Sequence, residues 1–284
     1  MKYLVLGSSG QVGEGLVEYI RKIGHEAIEF DIVRNAEEDL RIPNNPLLDK
    51  AVAEADFVFF LAFDVGGARY LKKYQETYDF VTNNQKLMVN TFEAIKKHGK
   101  KFIFASSQMS SMTFSNYGVL KNLGEKMTDI LDGRVVKFWN VYGFERDLEK
   151  SHVITDLILK AHKQKEISLM TSGQEERQFL HVEDCAKCLI TIAERYDEIS
   201  KEHPLHITTF EWTKVIDVAN IISQNFDNAP VVPTIVASDQ QNDVQHAIKN
   251  DASTYILRFW KPEIDLKTGI VDIIKRMKEH GMIS

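Results

Sequence analysis

The chain has 284 residues, 44% hydrophobic and 27% charged, the balance of an ordinary globular protein long enough for a substantial core. Its net charge of -6 argues against nucleic acid as the main partner, because such binders carry a basic face. The longest strongly apolar run, FVFFLAF from Phe57, is too short to cross a bilayer, so no membrane partner is expected.

The start, MKYLVLG, is apolar only briefly before it turns glycine-rich, unlike a secretion signal, and a cytoplasmic location is expected. KYLVLG predicts a short strand ending in glycine. QVGEGLVEYIRKIG has helical spacing in Val12, Leu16, Tyr19, Ile20 and Ile23, with Gly24 as its stop. HEAIEFDI, DFVFFLAF and KKFIFASS follow as strands, with the amphipathic helix QKLMVNTFEAIKKHG between the last two, and VVKFWNVYG is one more strand. Apolar strands alternating with helices predict a parallel sheet covered on both faces, a doubly wound α/β unit.

After about residue 150 the rhythm changes. VITDLILKAHK, EDCAKCLITIAERY, TKVIDVANIISQNF and IDLKTGIVDIIKRMKEHG predict helices. ISLMTSGQEERQFLHV predicts short strands around a glycine turn, and a polar, proline-flanked stretch runs from Pro230 to about Asn250. Residues 1–150 are therefore expected to form a Rossmann-type core, with 181–200 packing back on it. Residues 151–284 are expected to form mainly a smaller, partly interleaved α/β lobe. Cys185 and Cys188 lie inside a helical run with no second pair, and are read as small buried residues rather than a redox or zinc motif. No metal set is expected; His152 and His162 flank a helix and are read as solvated or capping.

GSSGQVG places Gly7, Gly10 and Gly13 directly after a strand and at the opening of a helix. Glycines there allow a tight turn and a close backbone approach to a pyrophosphate, which the helix N-terminus also attracts. Asp31 ends the second strand about 20 residues on, where an adenosine ribose would lie. A carboxylate there accepts both ribose hydroxyls and repels a 2′-phosphate, which favours NAD; nearby Arg34 keeps NADP as the lesser alternative.

In ASSQMSSMTFSNYGVLK, Tyr117 and Lys121 are four residues apart and face the same side of a helix. A phenol is a poor base at neutral pH, and an adjacent ammonium together with an oxidised nicotinamide would favour its phenolate. Ser107, at the end of its strand, lies on the sheet edge where ligands bind.

These residues resemble the extended short-chain dehydrogenase/reductases, in the NAD-dependent epimerase/dehydratase group acting on nucleotide sugars. GSSGQVG is similar to that family's glycine turn. EFD with EEDLR is similar to its ribose acid and Asp-hydrophobic pair, and FFLAF to its strand beside the cofactor. TNNQKLMVNTFEA is similar to its Asn-led helix. NVYG, GQEERQFLHVEDCAK and WKPEIDLKTGI resemble further signatures across the rest of the chain. The resemblance implies catalysis by Ser107, Tyr117 and Lys121. It implies cofactor contacts from Gly7, Gly10, Gln11, Val12, Gly13, Asp31, Asp39, Leu40, Leu61, Ala62, Asn84, Tyr117 and Lys121. It implies substrate contacts from Gly66, Ser107, Asn140, Arg177 and Gln245, and a homodimer formed through a helix pair.

Departures narrow the expected reaction. Gln108 and Met109 stand where dehydratases of the group carry acids, so 4,6-dehydration is not expected, and Met109 replaces the cysteine of GDP-mannose 3,5-epimerases, which LAFDVGG resembles. Phe63 replaces a small residue and should narrow the site near the cofactor. The short interval from Ser107 to Tyr117 leaves the pocket either more open or closed by another segment such as FDVGGARYLKKY. Hydride transfer at C4 of a nucleotide-diphospho sugar remains, as a 4-epimerase or 4-dehydrogenase, with GDP-sugars slightly favoured. The alternative is a non-catalytic dinucleotide-binding regulator, although such proteins usually lose the Tyr–Lys pair.

Overall fold

The computed structural model describes residues 1–234 and 251–284. β1 (Lys2–Leu6), β2 (Glu26–Phe30), β3 (Phe57–Phe60), β4 (Phe102–Ser107), β5 (Arg134–Phe138) and β10 (Leu205–Ile207) form a six-stranded sheet in the order β10-β5-β4-β3-β1-β2. Every neighbouring pair is parallel. The order reverses between β1 and β3, so a crevice opens beyond their C-terminal ends, the usual ligand position in such sheets. Gly7 and Leu61 stand at that crevice, and the Leu61 N–H donates to Leu6 O at 3.0 Å.

The central strands are buried from end to end because helices cover both faces. On one face, α1 (Gln11–Lys22) packs against α7 (Val182–Glu194), joining Leu16, Val17 and Ile20 to Cys185, Cys188, Leu189 and Ile192 in one core. Both cysteines are unpaired and wholly buried, and burial pushes their thiols up. On the other face lie α2 (Pro46–Glu54), α4 (Tyr78–His98) and α5 (Asn116–Ile130), with Phe60, Phe92, Phe102 and Phe104 in mutual ring contact. Fully burying such a phenylalanine stabilises the fold by about 1.5–3 kcal/mol.

A third core belongs to α6 (Val153–Gln164), α8 (Val215–Ser223) and α9 (Leu266–Glu279). Short strands bind this lobe together. β7 (Ile167–Ser168) pairs with β12 (Val231–Val232), and β8 (Glu176–Arg177) pairs with β11 (Thr213–Lys214).

Several elements differ from expectation. VVKFWNVYG is two strands, β5 and β6 (Asn140–Tyr142), broken at Trp139, whose indole N–H donates to His206 Nδ1 at 3.1 Å. The break turns β6 away from the sheet to pair with β9 (Phe179–His181). The helix expected from Gln85 starts earlier, at Tyr78, because Thr77 caps it by accepting the Phe80 N–H. α2, α3 (Ala68–Tyr74) and β10 carry no strong periodic signal in the sequence and appear only in the structure. Much of the polar stretch after Pro230, including Gln245, lies outside the described residues.

Candidate active site

The glycine turn is built by exclusion. Gly7 has a φ of +87°, and a Cβ there would lie 2.8 Å from the Ala62 backbone. At Gly13 a Cβ would lie 2.0 Å from Gly7 O. The turn therefore packs tightly against the Leu61–Ala62 strand end while Gly10 leaves the α1 N-terminus without a side-chain cap. Ser8 Oγ is buried with no partner among the described residues. A bare helix N-terminus beside an orphan hydroxyl fits a dinucleotide's pyrophosphate.

Asp31 reaches this turn from the neighbouring strand: its carboxylate accepts the Ser9 N–H and the Val33 N–H, each at 2.9 Å. Arg34 pairs with Glu29. Asp39 is gripped by Arg41 through Nε and Nη2 at 2.8–3.0 Å, and that contact holds its carboxyl below the usual range. Leu40 is buried, and its carbonyl accepts Asn90 Nδ2 at 2.8 Å. The Gln11 amide donates to Val141 O at 3.1 Å and accepts the Gly143 N–H at 3.0 Å, tying the turn to β6; Val12 packs beside it on the first core. Asn84 is wholly buried. It accepts the Asp64 N–H at 2.8 Å and donates to Asp64 O and Phe80 O at 3.1 and 2.9 Å. Its amide thus braces the loop after β3.

Ser107 closes β4, and its Oγ accepts the Met109 N–H at 3.2 Å, starting a 3-10 turn over Gln108–Ser111. α5 begins at Asn116, soon after that turn, capped by Ser115, whose Oγ accepts the Gly118 N–H and donates to Gln75. A Cβ at Gly118 would lie 2.5 Å from Met109 O, so this glycine lets turn and helix lie close. The short Ser107–Tyr117 interval is accommodated by that contact.

Tyr117 and Lys121 are both nearly inaccessible. Burial pushes the Tyr117 phenol up to about 12, against a Ser107 hydrogen bond that draws it down. Burial likewise pushes the Lys121 ammonium down to about 7, with Glu125 opposing. Among the protein's own groups desolvation outweighs that hydrogen bond, whereas the expected phenolate also draws on the positive charge of an oxidised nicotinamide. Lys121 Nζ donates to Ala105 O at 2.6 Å and lies 3.7 Å from the centre of the Phe63 ring.

Ser107 and Tyr117 open onto a cavity of about 220 Å³ that Asn140, Arg177 and Gly66 also line. Asn140 Nδ2 is buried without a partner among the described residues. Arg177 donates to Glu176 O at 2.7 Å, and desolvation lowers its pKa. The segment Val65–Arg69 with Leu71 walls the cavity, so FDVGGARYLKKY does close the side left by the short loop. Gly67 makes this fit, since a Cβ there would meet Ser151 O at 2.3 Å. Arg69 is fixed by Asp156 at 2.9 Å and Ser151 Oγ at 3.2 Å.

His152 was not expected here. It sits at the N-cap position of α6, yet its side chain makes no capping bond. Instead Nδ1 lies 2.6 Å from Oε1 of buried Glu145, and the ring lines the same cavity as Tyr117. Of the solvated-or-capping expectation, the capping part is corrected, while the side chain stays 44% exposed, as a solvated histidine would. The available signal was weak: an acid seven residues before a histidine, across a loop with no periodicity. No cluster of potential metal ligands occurs among the described residues, and none of their helices is long and apolar enough to cross a membrane.

The sheet order, with the glycine turn at the point where it reverses, defines a Rossmann-type dinucleotide-binding fold. The chain belongs to the NAD dependent epimerase/dehydratase family, whose model matches residues 3–208. A probable GDP-L-fucose synthase of Oryza sativa subsp. japonica is 24% identical, covering 98% of this chain and 92% of that protein. A putative UDP-glucose 4-epimerase of Methanocaldococcus jannaschii is 23% identical, covering 98% and 99%. Among solved structures, the UDP-glucose 4-epimerase of Thermotoga maritima, determined with UDP-glucose, superposes with a TM-score of 0.80 at 18% identity, covering 99% of each chain. These likenesses establish the fold and the family.

Proposed function

We propose that the protein is an NAD-dependent oxidoreductase or epimerase acting at C4 of a nucleotide-diphospho sugar. One observation carries this: Ser107 and Tyr117 share a cavity with the half-buried guanidinium of Arg177 and with Asn140, whose amide nitrogen has no partner among the described residues. A hydrogen-bond donor and a cation suit a ligand rich in hydroxyl and phosphate oxygens.

When bound, NAD supplies the hydride acceptor and a positive charge that favours the Tyr117 phenolate. Tyr117 Oη takes the proton from the substrate hydroxyl, and Ser107 Oγ holds the same oxygen as the carbonyl forms. Lys121 orients the cofactor beside Tyr117. Asp31, fixed on the glycine turn, takes the adenosine ribose. Arg34, already paired with Glu29, offers little to a 2′-phosphate, which supports NAD over NADP. Asn140 and Arg177 bind the nucleotide sugar, and Gly66 keeps the wall thin. Gln108 and Met109 line the cavity without an acid, which supports redox chemistry rather than 4,6-dehydration. The DVGG likeness and the rice relative lean the nucleotide toward GDP. Val89 on α4 with Val119, Leu123 and Ile130 on α5 are exposed apolar residues, which supports a homodimer through those helices.

The His152–Glu145 pair favours a second reading. A carboxylate-held imidazole on the cavity wall can move a proton at the carbon beside a C4 ketone, so the ketone would exchange or invert there before hydride returns. A non-catalytic regulator would have no use for these groups.

NADH formation from a panel of nucleotide sugars tests the first reading. Tyr117→Phe should lose at least about 100-fold in turnover while still binding NAD; retained turnover would place the base elsewhere. In heavy water, deuterium should enter the recovered sugar with wild type and not with His152→Gln. Equal incorporation by both would remove His152 from the chemistry.

A further inference from the structure

Lys121 is almost wholly buried. Its ammonium donates to Ala105 O, and around it stand the rings of Phe63, Phe104 and Tyr117 at 3.7, 5.1 and 5.8 Å. Phe104 is a wholly buried β4 residue in the ring cluster beneath the sheet, and Tyr117 lies one turn back on the same helix. Phe63 alone of the three rings is only partly buried, on the loop after β3. Anything polar that reaches the Lys121 ammonium must therefore come from the Phe63 side.

The backbone around Phe63 is pinned. Ala62 lies against Gly7, and both the N–H and the carbonyl of Asp64 are held by Asn84. The loop cannot swing as a unit without breaking those contacts, whereas an aromatic side chain changes rotamer readily. The ring also stands edge-on to Tyr117, 5.8 Å between centres. One side chain thus covers both members of the pair.

We propose that Phe63 is a latch over Lys121: its ring holds the ammonium by its π face and must rotate away before the dinucleotide cofactor can hydrogen-bond to that lysine. The proposal rests on the assignment of Lys121 to the cofactor made above. The exchange is favourable because a hydrogen bond to an ammonium is stronger than a partly exposed cation–π contact. The latch nevertheless lowers apparent cofactor affinity, since only the rotated population is competent to bind. It also places Phe63, rather than a charged residue, in control of how readily the site loads.

The test is the NAD dissociation constant, measured by calorimetry on the full chain. Phe63→Ala should bind NAD about three- to tenfold more tightly than wild type. Phe63→Leu, which keeps most of the bulk without the π face, should share part of that gain, and Phe63→Tyr should match wild type. In a Lys121→Met background, Phe63→Ala should give no gain. Unchanged or weaker binding by both the Ala and Leu variants would overturn the latch, as would an equal gain without Lys121. A wild-type protein that binds no NAD would overturn the cofactor assignment itself, and the latch with it.

Discussion

Two asparagines on either side of the site, one wholly buried and one partly so, are treated in opposite ways. Asn84, behind the crevice of the dinucleotide half, has its carbonyl and both amide hydrogens engaged by Asp64 and Phe80. Asn140, on the wall between the halves, has an amide nitrogen with no partner among the described residues. The same contrast runs more widely. In the dinucleotide half, Asp31, Asp39 and Gln11 are all bonded within the protein, and Ser8 Oγ on the glycine turn is the exception, without a partner among the described residues. A buried polar group closed by its own chain makes architecture, while one left open costs stability and is tolerated where a ligand completes it. The dinucleotide half is thus a preformed mould. The cavity wall keeps a valence open at Asn140.

Removing Asn84 gives the largest effect this contrast predicts. Asn84→Ala would strip the Asp64 N–H and carbonyl of their partner, while Phe80 O keeps its helical bond, a loss of about 1–3 kcal/mol. Thermal or urea unfolding would register it directly. A loss below about 0.5 kcal/mol would mean that the loop after β3 does not depend on this amide, and the mould would have to be attributed to the glycines alone.

Lys121 is a charged group whose burial costs stability despite its bond to Ala105 O, and its signature is a pH slope. Its folded pKa, about 7, lies below the ordinary lysine value of 10.5, so between those values the unfolded chain binds the extra proton and stability rises with pH. Below about pH 7 the cost of the buried ammonium is fully present. Tyr117 acts the other way: its folded pKa, about 12, exceeds 10.0, so the unfolded chain ionises first and stability falls from pH 10 towards 12. Lys121→Met should therefore be more stable than wild type at pH 7, by on the order of 1–3 kcal/mol, and should lack the rise between pH 7 and 10. Parallel slopes for the two proteins would show that the ammonium is not under strain.

The mould was far more legible in the sequence than the open wall. Gly7, Gly10, Gly13 and Asp31 announce themselves because backbone sterics and strand periodicity write them at fixed spacing. Ser107, Tyr117 and Lys121 are legible for the same reason, being a strand end and an i, i+4 pair. His152, Glu145 and Arg69 are not, because loop crossings bring them to the cavity and no local period marks such a crossing. The direction of the Tyr117 and Lys121 shifts was equally hidden. Spacing says that two groups are close, but only the packed structure says how much water they have lost. Trp139 shows the limit in another form: an apolar run reads as one strand, and the break that turns Asn140 toward the cavity depends on a partner at His206.

The smallest effect on stability belongs to Asn140, and it is the most discriminating. Its backbone N–H donates to Gln178 O at 3.3 Å whatever its side chain, so β6 keeps its anchor in Asn140→Ala. Deleting an amide whose nitrogen has no partner removes a desolvation cost along with any packing it gave, and unfolding should move by no more than about 0.5 kcal/mol. If the amide is there for the substrate, the loss should surface as weaker nucleotide-sugar binding, about five- to tenfold for one hydrogen bond of about 1 kcal/mol. NAD affinity should stay where it was, because the Asn140 side chain opens on the cavity rather than on the glycine turn. A variant that unfolds early with unchanged sugar affinity would reverse the assignment, making Asn140 a structural residue like Asn84.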